Sequence, residues 1–322
     1  MDPSGGKNGL KQGRDIRAGS GCLGRRRFLK NAARAAALGS VAVAAGCSTE
    51  VLGANGEMGL KFREYFKKNY RLMTAEEKEE TARRLEQLAR IQRSVQVKIG
   101  TREPLEGVLF GYAFNVTRCE GYMECVAACV RENNLDRRSD MQYIRIFELE
   151  HGQMSPEQGD GKFFHEVPVE GRFYTGVQCY HCHNAPCVKA CPTKATWQEP
   201  DGIVVVDYDW CIGCRYCIAA CPYYGRRFNW NEPVVPKEEI TRKQHYLGNR
   251  LRARGQMEKC TFCIQRTRQG RLPACAEACP TGARVFGNLL DPKSEIRYVL
   301  KNKKVFRHKE DLGTEPKFWY FI

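Results

Sequence analysis

The sequence has no long hydrophobic run. Its one sustained apolar stretch, Ala32 to Gly46, is interrupted by Arg34, and it falls short of the roughly 20 apolar residues that a membrane-spanning helix needs. The mean hydropathy of −0.53 agrees with a soluble body. No glycine-rich phosphate loop, no nucleophile–base pair and no substrate-binding motif stands out, so bond chemistry by this chain alone is not expected. Cysteines to spare for disulfides are also lacking. Of seventeen cysteines, fifteen fall into four short motifs, and the other two, Cys22 and Cys47, lie in or at the end of the N-terminal stretch.

The formal charge of +15 first suggests nucleic acid or an anionic membrane. That reading weakens on inspection. Residues 1–46 hold nine Lys/Arg against two Asp, so +7 sits there and +8 in the remainder. Four oxidised 4Fe-4S clusters, each about −2 with its four thiolates, would contribute about −8. The basic character is therefore expected to compensate buried negative charge, and no nucleic-acid partner is expected.

The N-terminal stretch reads as a leader. Gly24-Arg25-Arg26-Arg27-Phe28-Leu29-Lys30 resembles a twin-arginine export motif without its usual leading Ser or Thr. The apolar segment then ends Ala44-Ala45-Gly46-Cys47, which resembles a lipoprotein cleavage box with Ala in place of the usual Leu. Cleavage after Ala42-Val43-Ala44 is the alternative. The expectation is a twin-arginine signal over 1–46, export to the periplasm or the outer membrane face, and a lipid anchor at Cys47.

Residues 47–104 are expected as a helical arm or linker. Thr74-Ala-Glu-Glu77 spells a capping box, and Leu85, Leu88, Ile91 and Val95 follow at helical spacing. Further on, Tyr143, Ile144, Ile146 and Phe147 suggest a strand, with a Gly/Glu/Pro loop to about 170. Asp201-Gly202 suggests a hairpin between 195–197 and 203–206. Residues 226–258 read as a polar, Pro-containing insertion without a ligand pattern. The tail has a short helical patch near Ser294–Leu300 and ends in Phe318-Trp-Tyr-Phe-Ile322, read as a docked strand.

The chemistry is in the cysteines. Cys211, Cys214, Cys217 and Cys221-Pro222 form a complete C-x2-C-x2-C-x3-C-P run, the bacterial ferredoxin signature. Cys179, Cys182, Cys187 and Cys191-Pro192 repeat it with two extra residues before the third cysteine. Cys260, Cys263, Cys275 and Cys279-Pro280 repeat it with a longer gap. At 119–129 the run is incomplete: Cys119, Cys125 and Cys129 keep the register, and Tyr122 stands where the second cysteine belongs.

Thiolates suit iron–sulfur clusters and zinc. The three C-x3-C-P endings favour iron–sulfur, and pairs so close in sequence rarely bridge as disulfides without strain. Cys179-Tyr-His-Cys182-His183 also matches the c-type haem signature. A haem there would strand Cys187 and Cys191, so His181 and His183 read as loop residues beside the metal.

With these four motifs and the leader, residues 105–322 resemble the four-cluster electron-transfer (beta) subunits of complex iron–sulfur molybdoenzymes, polysulfide reductases and alternative complex III. The resemblance implies an α+β fold of two pseudo-symmetric dicluster ferredoxin-like lobes. It implies that motif two exchanges its last cysteine with motif three, and motif one with motif four. One cluster would take Cys179, Cys182, Cys187 and Cys221; its neighbour, Cys211, Cys214, Cys217 and Cys191; a third, Cys260, Cys263, Cys275 and Cys129. The fourth keeps only Cys119, Cys125 and Cys279. The expected cofactors are three 4Fe-4S clusters and one 3Fe-4S cluster, or an incompletely Cys-ligated 4Fe-4S.

The resemblance also implies partners: an NrfD-type quinone-interacting membrane subunit and a molybdopterin or multihaem cytochrome subunit. The expected role is a non-catalytic relay of single electrons between them. A free-standing periplasmic ferredoxin and a structural metal-binding module are the alternatives.

Overall fold

A computed structural model of the chain describes residues 71–322 apart from Met154. The leader over 1–46, Cys22, Cys47 and residues 47–70 lie outside the described residues.

Helix α1 (Ala75–Arg93) starts at the expected capping box: the Thr74 side chain accepts from the Glu77 N–H, and the Glu77 carboxylate accepts from the Thr74 N–H. Its inward face is shallower than the spacing suggested. Ala82 is buried and Leu85 packs on the core, whereas Ile91 is 68% exposed. Strand β1 (Lys98–Gly100) follows and pairs in parallel with β8 (Lys243–His245). Glu86 of α1 accepts from the Ile99 N–H at 2.7 Å. The described part of the expected arm is therefore packed on the body.

The body is built on a four-stranded sheet of order β10-β2-β12-β11, joining β2 (Phe110–Asn115), β10 (Arg284–Asn288), β11 (Val305–Phe306) and β12 (Phe318–Phe321). Strand β2 is central, antiparallel to β10 and parallel to the docked C-terminal β12. It is buried on both faces, which explains why Phe110 to Asn115 reads as continuously apolar or small. Successive side chains alternate between the faces. Ala113, Val285 and Phe321 pack with Ile296 and Val299 of α7 (Glu295–Asn302) on one side. Tyr112, Phe114, Phe286, Phe318 and Tyr320 point to the other, into the larger core that contains the cysteines.

Around this larger core sit three hairpin-like pairs. Strands β3 (Arg145–Glu150), near the strand expected at 143–147, and β4 (Arg172–Val177) form an antiparallel pair. Strands β5 (Thr196–Gln198) and β6 (Val204–Val206) form the second. Gly202 adopts φ +83 in its turn, as Asp-Gly chemistry predicts, but Asp201 is fully buried and ion-paired to Arg268 Nε at 2.8 Å. Strands β7 (Arg226–Phe228) and β9 (Met257–Lys259) form the third. They bracket the segment read as a polar insertion, whose Arg250, Arg252, Gln256 and Glu258 are buried. All described residues belong to the unit Met58–Ile322. Among them no helix is long and apolar enough to cross a membrane.

Candidate metal centres

Each cysteine motif folds as a tight loop running into a short helix. Cys125 and Cys129 lie on α2 (Glu124–Glu132), Cys187 on α3 (Pro186–Lys189), Cys217 on α4 (Tyr216–Ala219) and Cys275 on α6 (Ala274–Glu277). In α2 the x3 spacing places Cys125 and Cys129 one helical turn apart on one face, whereas Cys191, Cys221 and Cys279 lie two residues beyond the ends of α3, α4 and α6. Helix α5 (Ile264–Thr267) follows Cys263 directly.

The loops share a backbone device. The residue two after the first cysteine has positive φ in all four motifs: Gly121 (+82), His181 (+45), Gly213 (+74) and Phe262 (+52). Two of these are not glycine, a conformation that costs free energy and is held only by surrounding structure. Motif one keeps the device, with Tyr122 in the place of the second ligand. A Cβ on Gly213 would lie 2.5 Å from the Gly255 carbonyl oxygen, so that position admits only glycine.

None of the fifteen cysteines is in a disulfide. They gather into four cages, numbered here I to IV. In cage II, Cys179, Cys182 and Cys187 of motif two line a cavity of about 340 Å³ together with Cys221 of motif three. In cage I, Cys217 of motif three stands close enough to Cys211 of its own motif and to Cys191 of motif two for their thiolates to push its pKa up, and Cys214 of the same loop is exposed at the surface. In cage III, Cys129 of motif one faces Cys260, Cys263 and Cys275 of motif four. In cage IV, Cys119 and Cys125 line a cavity of about 320 Å³ with Cys279 of motif four and Tyr122. The last cysteines are thus exchanged between motifs two and three and between one and four.

Tyr122 does not turn its oxygen into cage IV. Its ring is 46% exposed, and its hydroxyl is hydrogen-bonded to the Glu120 side chain, which pushes its pKa up. His181 is buried and stacked on Phe262 at 3.7 Å, and His183 is exposed in the same loop.

The surroundings of the cages fit an anionic cofactor. Burial, reinforced by neighbouring thiolates, pushes Cys182 and Cys260 up to about 12 and Cys217 up to about 11. Bare thiols there would stay protonated near neutrality. Yet four buried cations stand among them: Arg226, Lys259, Arg284 and Lys317, each 6% exposed or less. None makes an ion pair with a carboxylate among the described residues, whereas the buried Arg252 and Arg268 do. An uncompensated buried charge costs several kcal/mol, and burial already lowers the pKa of Lys259 and brings Lys317 down to about 8, so negative charge inside the cages is what would keep all four charged. Arg226 already donates to Cys187 Sγ at 3.0 Å. Arg284 Nη2, Lys317 Nζ, His181 Nε2 and Gln178 Nε2 have no partner among the described residues. They would be available as donors to the sulfide and thiolate sulfurs of a bound cluster.

Sequence reasoning missed these cations. Two carried a visible signal: Cys221-Pro-Tyr-Tyr-Gly-Arg226 and Cys279-Pro-Thr-Gly-Ala-Arg284 share the spacing C-P-x3-R. Lys259 and Lys317 had none beyond position, one before Cys260 and the other in the tail.

The 4Fe-4S dicluster domain family matches the chain at residues 171–250 and 246–289. Among curated relatives, an Hdr-like menaquinol oxidoreductase iron–sulfur subunit 1 of Archaeoglobus fulgidus is 37% identical, over 65% of this chain and 81% of the relative. Protein NrfC of Escherichia coli is 38% identical, over 67% of this chain and 81% of the relative. The iron–sulfur cluster-binding subunit of a menaquinone reductase from Nitratidesulfovibrio vulgaris is 35% identical, over 66% of this chain and 88% of the relative. Motif spacing, cage chemistry and these long alignments agree on one assignment: the chain belongs to the family of iron–sulfur subunits of the complex iron–sulfur molybdoenzyme group.

Proposed function

We propose that this chain is an exported subunit that relays single electrons between a quinone-active membrane subunit of the NrfD type and a molybdopterin or multihaem redox partner. The observation that carries the reading is the arrangement of four cysteine cages in series. Cys217 of cage I is close to Cys187 of cage II, Cys260 of cage III to Cys179 of cage II, and Cys129 of cage III to Cys125 of cage IV. The order is therefore I–II–III–IV, an order that two pseudo-symmetric dicluster lobes would produce. The ends reach the surface, at the exposed Cys214 and at the half-exposed Tyr122.

Cages I to III, with four cysteines each, would hold 4Fe-4S clusters. Cage IV, with three, would hold 3Fe-4S. The clusters supply one-electron redox chemistry. The protein supplies spacing, exclusion of water and countercharge. Single-ion zinc suits the cages poorly. Three motifs end in C-x3-C-P, the ferredoxin pattern, and the cysteines of each cage come from two motifs, as dicluster ferredoxins require. The leader argues for export of the folded, loaded protein, with a lipid on Cys47 or the membrane subunit as its tether.

Purified full-length protein is expected to be brown, with about fifteen iron atoms per chain, and to co-purify with an integral membrane subunit from its native host. Colourless protein holding zinc would overturn the relay, and loaded protein without any partner would leave a free-standing ferredoxin.

Cage IV has its own test. The loop around Tyr122 already has the backbone of a complete motif, so Tyr122→Cys introduces a thiol where a fourth ligand belongs. The oxidised protein is expected to show a 3Fe-4S EPR signal that this variant abolishes, with about one more iron per chain. An unchanged signal would sink the assignment.

A further inference from the structure

Three of the four carboxylate-free cations stand in the gaps between cages, one in each gap. Arg226 occupies the gap between I and II. Its Nη2 donates to Cys187 Sγ at 3.0 Å, its Nη1 to Thr196 Oγ1 at 3.3 Å, and its guanidinium lines the cavity of cage II. Cys217 of cage I feels the same charge.

Lys259 occupies the gap between II and III. Its ammonium donates to the carbonyl oxygens of Val204, which lines cage II, and of Cys260, a member of cage III. It faces Cys179 and Cys187 on one side and Cys260 on the other.

Arg284 occupies the gap between III and IV. It projects from the cage face of β10, opposite Phe114, whose ring lies 5.1 Å from the guanidinium carbon. Nη1 donates to Gln178 Oε1 at 2.8 Å, and Nη2 is unpartnered. It lines the cavity of cage IV beside Cys119, Cys125 and Cys279. Towards cage III its neighbours are Cys275 and Tyr112, whose hydroxyl lies 3.3 Å from Cys275 Sγ.

The geometry points to a role for each of these three cations: it sets the reduction potentials of the two clusters flanking its gap together, so that the relay is tuned in overlapping pairs. The physical reason is charge. Taking up an electron makes a cluster more negative, and a fixed cation nearby in a poorly polarisable interior favours that state. A cation between two clusters favours reduction of both and offsets the repulsion between an electron on one and an electron on the other. These are positioning residues in the electrostatic sense, since none ligates iron. Lys317 serves as an internal control. The cysteines it faces, Cys182 and Cys179, both belong to cage II, and its other charged neighbours are Lys259 and Asp201, so it stands beside one cluster.

The inference rests on the four-cage relay proposed above. The test is a potentiometric titration followed by EPR on full-length loaded protein, for Arg226→Gln, Lys259→Gln, Arg284→Gln and Lys317→Gln. Each of the first three is expected to lower two midpoints by at least tenfold in equilibrium constant, about 59 mV for one electron. The affected pairs should overlap as I–II, II–III and III–IV, while Lys317→Gln lowers one midpoint. Shifts confined to one cluster per gap variant, spread over all four, or absent would overturn the inference. Wild-type protein with fewer than four resolved clusters would instead refute the four-cage reading.

If a glutamine variant fails to hold iron, Arg226→Lys, Lys259→Arg and Arg284→Lys decide. Restored iron with midpoints near wild type shows that charge is what the gap requires. Loss equal to that of the glutamine variant shows that shape is, and overturns the inference.

Discussion

Replacing Cys221 with alanine is expected to strip iron from the cage of motif two, although Cys221 belongs to motif three. Its side chain lines the cavity of Cys179, Cys182 and Cys187, and its own thiolate is repelled by Cys179 and Cys187. Cage I keeps all of its cysteines in that variant. The expected first loss is one iron from cage II, seen as a second 3Fe-4S signal in the oxidised protein.

The consequences then spread, because cage II is the most heavily countercharged of the four. Arg226, Lys259 and Lys317 all face it. A cluster that dissociates completely leaves three buried cations without negative charge, at several kcal/mol each even after relaxation. A folded domain has only about 5–15 kcal/mol to lose. Complete iron removal by an oxidant and chelator is therefore expected to unfold the domain, with loss of near-ultraviolet circular dichroism. A Cys221→Ala protein whose new EPR signal comes from the cluster of Cys211, Cys214 and Cys217 would refute the exchange of last cysteines.

What could be read from the chain, and what could not, follows the range of each signal. The cysteine loops, the capping box at Thr74, the turn at Gly202 and the C-terminal strand are all encoded within a few residues, and each is found where expected. The exchange of cysteines between motifs came from resemblance alone, because spacing within a loop says nothing about which distant loop faces it.

The central sheet was illegible for the same reason. Strand β2 lies between β10 and β12, and its register joins Tyr112 to Phe286 and Phe318 across most of the chain length. The burial of segment 226–258 could not be read from its polar composition. Its buried polar groups pair largely with distant residues, as Arg252 does with Asn133 and Tyr143 and Gln256 with Tyr208, and pairing across tens of residues leaves no local pattern. The net positive charge suggested compensation of buried cluster charge, but only the fold shows which cations lie among the cysteines.

That distinction carries the second large prediction. Arg252 and Glu258 form an ion pair at 2.8 Å, with side chains 1% and 0% exposed. Glu258 also accepts from the Tyr143 hydroxyl at 2.7 Å and from Asn229. Arg252 in turn donates to the Asn133 carbonyl at 2.7 Å, and the Asn133 amide reaches towards Cys129 Sγ at 3.5 Å. Glu258→Gln keeps the shape and removes the charge, leaving Arg252 buried and uncompensated at a cost of about 3–5 kcal/mol. For a chain of this size that corresponds to an apparent melting temperature lower by on the order of 10 °C at a fixed scan rate. Removing both charges, as in Arg252→Met with Glu258→Gln, is expected to recover much of the loss, because no orphaned ion remains. A Glu258→Gln protein within a degree or two of wild type would show that the pair contributes little. Cluster midpoints should barely move in the double variant, since the pair is neutral as a whole. Arg226, Lys259 and Arg284 have no such carboxylate, and for that reason the loss of any one of them should register in the potentials.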